Sequence, residues 1–103
     1  MRNQELANIL YEIADFLEME GVTFKPYAYQ KAAITLETLE EDIAEIYEKG
    51  GKPALKKIPS IGKNMADKIE EYLKSGRIKE YEKLKKKTPI TLLWMGHQVL
   101  VVP

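Results

Sequence analysis

The chain has no cysteine and a single histidine, His97, among its 103 residues. Without cysteine there is no disulfide scaffold and no thiolate metal site, and an intracellular setting, which in a prokaryote would be the cytoplasm, is the simpler expectation. A lone histidine without partners at metal-ligand spacing is a structural or incidental residue rather than a ligand. Long apolar runs are missing as well. No stretch approaches the ~20 residues that a membrane-spanning helix needs, and the opening Arg2-Asn3-Gln4-Glu5 is not an apolar secretion signal. A soluble protein without a membrane role is expected. Strand signals are also scarce: up to Pro89 the apolar residues recur at helical spacing, which predicts an all-α fold, a small bundle of about four to five helices. At 103 residues one modest core is the limit, hence one domain.

Net charge is absent only on average. Residues 1–50 hold eleven acidic and four basic side chains, net −7, whereas residues 51–103 hold five acidic and twelve basic, net +7. A basic C-terminal half is the footprint of a polyanionic partner, and the alternative is that the two halves pair with each other.

The helices can be read from apolar spacing and punctuation. Leu6, Ile9, Leu10, Ile13, Phe16 and Leu17 predict a first helix, with Asn3 as its N-cap and Gly21 as its stop. After a connector to Pro26, Tyr29, Ala32, Ala33 and Leu36 form the buried stripe of a second, whose alanines permit close packing. A third is predicted from Glu41 to Lys49, presenting Ile43, Ile46 and Tyr47 and ended by Gly50-Gly51.

The most informative stretch follows. A short helix opens at Pro53, where a fixed φ and a missing N–H suit the first helical position, and Pro59 stops it. The next helix begins near Gly62 and carries Met65, Ile69, Tyr72 and Leu73 on one face until Gly76 ends it. Leu55, Ile58 and Ile61 are the expected anchors of this unit. Gly62 lets a phosphate approach the main chain, and the first N–H groups of the helix are free to donate to it. With Lys56, Lys57 and Lys63 alongside, residues 53–75 read as a helix-hairpin-helix that grips nucleic acid by its phosphates. Such hairpins usually contain Gly-x-Gly, and Ser60 stands here in place of the first glycine. The plainer alternative makes Ile-Pro-Ser-Ile-Gly an ordinary turn in a helical domain. After Gly76, Ile78, Tyr81 and Leu84 predict a last helix reaching Lys85-Lys86-Lys87.

Residues 1–88 are thus assigned to the domain and 89–103 to an atypical apolar tail. The tail, with Leu92, Leu93, Trp94 and the run Val99–Val102, is either an irregular packed segment or an appended sequence that is disordered or drives association.

Residues 5–20 (ELANILYEIADFLEME), 27–36 (YAYQKAAITL), 56–73 and Ser75-Gly76-Arg77 together resemble the N-terminal eight-kilodalton domain of family X DNA polymerases, the polymerase beta type. The resemblance implies binding of gapped or nicked DNA at its 5′-phosphate within a base excision repair polymerase. It also implies 5′-deoxyribose phosphate lyase activity through an imine at Lys68. It places phosphate or DNA contacts at Lys25, Tyr29, Lys56, Ser60, Gly62, Lys63 and Asn64, and a monovalent cation, Na+ or K+, on the main-chain carbonyls of Lys56, Ile58 and Ile61. Two positions that are usually basic fall on Asn64 and Glu80, which weakens the expected phosphate capture. A polymerase catalytic domain is the implied partner, and this stretch alone is not expected to polymerise DNA.

A lysine attacks an aldehyde only as the free amine, and at an ordinary pKa of about 10.4 that form is scarce at neutral pH. Lys68 lies at the edge of the apolar stripe one turn before Tyr72, where partial burial and neighbouring cations would favour the amine. The imine would lose a C2′ proton and expel the phosphate by β-elimination, a step that needs no metal. Glu71, three residues on, is the candidate base, with water as the alternative. Three readings remain open: a lyase, a non-catalytic DNA-binding module, and a helical protein-interaction domain.

Overall fold

The structure, a computed structural model, describes residues 2–87. They form five helices, α1 (Arg2–Met19), α2 (Lys25–Thr38), α3 (Ile43–Lys56), α4 (Lys63–Ser75) and α5 (Lys79–Lys87), with no strand among the described residues. The all-α expectation holds. The tail 89–103, with His97, lies outside the described residues. No described helix is long and apolar enough to cross a membrane.

The core follows the predicted stripes. Leu6, Leu10, Ile13 and Leu17 of α1 are buried, and α1 packs chiefly on α2, whose buried Ala32 and Ala33 allow the two helices to lie close. Leu36, Ile43, Leu55, Ile69 and Ile78 are also buried, so every helix from α2 to α4 and the α4–α5 corner is tied to one cluster. Each such side chain contributes about 1.5–3 kcal/mol by leaving water.

The helix boundaries show where local reading ends. Asn3, the expected N-cap of the first helix, sits inside α1, is only 3% exposed and caps a different helix. Its Oδ1 accepts from Ile43 N–H at 2.7 Å and its Nδ2 donates to the Glu41 carbonyl at 2.8 Å, while Asp42 accepts from Ala44 N–H at 2.8 Å. The start of α3 is therefore capped twice, once by its own N-cap residue Asp42 and once from α1. The two helices predicted on either side of Gly50-Gly51 run together as α3 with a break at Gly51, whose φ of 64° and ψ of −160° are not helical. That conformation is essentially reserved for glycine. It turns the Pro53–Lys56 segment onto a new axis, the first arm of the hairpin.

Tyrosine–glutamate hydrogen bonds stitch the bundle together. Tyr11 donates to Glu37, Tyr47 to Glu70, Tyr72 to Glu5 and Tyr81 to Glu12, each across two helices, at 2.9, 2.6, 3.0 and 2.6 Å. Tyr72 and Tyr81 belong to the basic half and Glu5 and Glu12 to the acidic one, so phenols link the halves at α1. Among the described residues, by contrast, the ion pairs of Lys49 with Glu41, Lys52 with Asp67, Lys68 with Glu80, and Lys74 with Glu70 each join residues of the same half.

Candidate nucleic-acid interface

The hairpin is built from the inside outward. Ile58 and Ile61 point into the core beside Leu55, while Pro59, Ser60, Gly62, Lys63 and Asn64 are exposed. The turn closes through Ile58 N–H to the Leu55 carbonyl and Ile61 N–H to the Ile58 carbonyl, both at 3.1 Å. Ser60 adopts a φ of +72°, the left-handed conformation that the missing glycine would take freely. A residue with a Cβ pays roughly 1–2 kcal/mol for that shape, and the buried isoleucines on either side hold it there.

Helix α4 then starts at an open end. Gly62 is its N-cap, no side chain caps it, and a Cβ built on Gly62 would meet nothing within 4 Å. The first N–H groups of any α-helix lack intrahelical acceptors and carry the positive end of the helix dipole. Here they sit beneath an exposed loop, with Lys56, Lys57 and Lys63 also exposed and in no ion pair among the described residues. Asp67, one turn into α4, is occupied by Lys52 at 2.7 Å, and that lysine holds its carboxyl below the usual carboxylate range. The pair braces α3 against α4 across the hairpin.

A second feature lies where α5 crosses the loop before α2. Lys25, Lys68, Lys79, Glu80 and Lys83 line a cavity of about 540 Å³, floored by Leu17 and Leu84. Lys68 Nζ sits 3.1 Å from Glu80 Oε1, and both side chains are about three-quarters buried. Tyr29 is buried behind them and donates its hydroxyl to the same Oε1 at 3.4 Å. Burial first, and then the Glu80 charge, push the Tyr29 phenol well above its usual range, so it stays protonated and serves as a donor.

Among the expected site residues, Lys25 and Lys68 share this cavity, with Tyr29 behind it, and Lys56, Ser60, Gly62, Lys63 and Asn64 share the hairpin surface. Glu71 does not join Lys68: its Oε2 accepts from Lys79 N–H at 2.7 Å and so caps α5. The carboxylate at Lys68 is Glu80, which sequence spacing could not pair with it because α5 crosses from a separate element. Lys79 and Lys83 were missed for the same reason. They also border a hollow of about 580 Å³ at the α4–α5 corner, together with Lys74, Arg77 and Lys86. Phe24 was passed over as connector, yet it is 89% exposed beside Lys25 at a φ of 69°. No signal in an isolated phenylalanine distinguishes that from burial.

Residues 1–78 match a family model described as a helix-hairpin-helix domain. The chain belongs to the helix-hairpin-helix domain family. That membership suggests DNA binding, and the matched stretch holds the hairpin, Lys25, Tyr29 and Lys68. Helix α5, with Glu80, lies beyond it. Among the described residues of this helix-hairpin-helix domain, no cluster of three or more histidine or acidic side chains could hold a metal ion. A cation on the hairpin carbonyls would be a different kind of site, and the Ile58 carbonyl already accepts one hydrogen bond there.

Proposed function

We propose that this helix-hairpin-helix domain holds the 5′-phosphorylated end of gapped or nicked DNA as part of a repair polymerase of the family X type. The observation that carries the reading is the open start of α4 at Gly62, flanked by Lys56, Lys57 and Lys63. An anion held there uses backbone donors and is indifferent to base sequence. The cavity with Lys25 and Lys68 would receive the strand end, and the lysines and arginine of the α4–α5 corner would follow its backbone. A monovalent cation on the carbonyls of Lys56, Ile58 and Ile61 would add positive field to the turn.

Within that reading Lys68 removes a 5′-deoxyribose phosphate through an imine at the ring-opened sugar C1′, followed by β-elimination. In a second reading, a non-catalytic DNA-binding module, the Lys68–Glu80 pair at 3.1 Å is a structural brace between α4 and α5. Affinity for gapped duplex with and without a 5′-phosphate, for wild type and Lys25→Ala, tests the binding reading. Preference for the phosphorylated end should shrink in the variant. With three phosphate contacts, affinity should fall about 40-fold between 50 and 200 mM salt. Borohydride trapping with a deoxyribose phosphate oligonucleotide tests the chemistry, and equal trapping by Lys68→Ala would remove Lys68 from it.

A further inference from the structure

We propose that Glu80 is the proton acceptor for Lys68 and then for the sugar C2′, making the carboxylate of α5 a catalytic residue of the lyase step. The inference rests on the lyase reading of Lys68 and adds to it a residue outside the matched hairpin stretch.

The geometry leaves few competitors. Glu80 Oε1 lies 3.1 Å from Lys68 Nζ, with both side chains about three-quarters buried on the wall of the same half-open cavity. Tyr29, on the other side, holds the carboxylate at 3.4 Å and is itself kept protonated, so it cannot be the base. Glu71 is spent on the start of α5, and Asp67 on Lys52. Glu20 lines the same cavity, and Glu20→Gln is therefore compared with Glu80→Gln.

The steps balance without another reactant. Glu80 takes a proton from the Lys68 ammonium, and the amine adds to the C1′ aldehyde to give a carbinolamine. The protonated Glu80 returns its proton to the carbinolamine hydroxyl, which leaves as water, forming a protonated imine and restoring the carboxylate. C2′ is now two bonds from Nζ, so the same oxygen that faced Nζ is within reach of a C2′ hydrogen. Its removal sends the C–H electron pair into the C1′–C2′ bond, and the C3′–O bond then breaks. The strand leaves as a 5′-phosphate that takes the proton from Glu80 and so restores the carboxylate, and water hydrolyses the remaining imine to free Lys68. Positioned acid–base groups of this kind contribute about 10²–10⁴-fold.

The test uses the full chain and an incised abasic duplex carrying a 5′-deoxyribose phosphate, in single turnover. Glu80→Gln should slow release about 100-fold or more and reduce the borohydride adduct. Its affinity for 5′-phosphorylated gapped DNA should hold or rise, because a negative charge near the phosphate is gone. Glu80→Ala should recover release when formate is supplied as a replacement carboxylate. Release at the wild-type rate or faster in Glu80→Gln would overturn the inference, as would a loss in Glu20→Gln alone, or a Glu80→Ala rate indifferent to formate. A wild-type chain that binds the substrate but never releases product would instead remove the lyase reading, and this inference with it.

Discussion

Gly62→Ala separates a binding glycine from a turn glycine. At a φ of −90° and ψ of −169° the residue occupies extended backbone open to any side chain, and a Cβ there meets no protein atom within 4 Å. The fold therefore has no steric need for glycine at this point. Alanine is a poorer N-cap than glycine, which limits the stability loss to about 1 kcal/mol, or roughly 4–8 °C in melting temperature for a domain of this size. The Cβ would instead project into the space in front of the first α4 N–H groups. If a phosphate normally sits there, displacing it from one charge-assisted hydrogen bond removes about 1.5–3 kcal/mol, a 10- to 150-fold loss of affinity. Fluorescence anisotropy on 5′-phosphorylated gapped DNA at fixed salt, alongside a thermal melt, reads both numbers. The loss should be confined to phosphorylated ends. An affinity unchanged within twofold in a folded variant would refute the reasoning, because it would leave the open helix start with no ligand to be blocked.

Gly51→Ala should destabilise the domain by about 1–3 kcal/mol, since its φ of 64° and ψ of −160° leave a Cβ strained at the break in α3; a chemical denaturation midpoint reads this directly. Asn3→Ala should cost about 1–3 kcal/mol, because Ile43 N–H and the Glu41 carbonyl both lose their partner, the first in the core; little change would mean that water replaces the amide. Lys52→Ala should let the Asp67 carboxyl rise toward its ordinary range, as read by NMR titration. Because the folded value is lowered, the pair's contribution is present above the unfolded carboxylate pKa and fades as pH falls through the folded one, so wild type and variant should converge in stability at strongly acid pH.

The readable parts of this protein are those whose determinants lie within a few residues of one another. The stripe of α1, the alanines of α2, the break at Gly50-Gly51, the proline-bounded arm and the helix opening at Gly62 were all legible as periodicity and punctuation. Even the oddity at Ser60 could be anticipated, because a hairpin lacking its usual glycine must force a φ of +72° on whatever replaces it. Asn3 shows the limit: its type announces a cap, but nothing local says which helix it will cap.

The sequence by itself determined an all-α fold, a hairpin and a basic half, because backbone hydrogen bonding and apolar spacing act over one or two turns. Only the tertiary structure decided that Glu71 caps α5, that Glu80 meets Lys68 and Tyr29, and that Tyr72 reaches Glu5 across 67 positions. Those pairings depend on how α4 and α5 cross α1 and α2, and that is set by packing of the whole core at once. A charge or hydroxyl on a helix carries no mark of the partner that burial will bring to it.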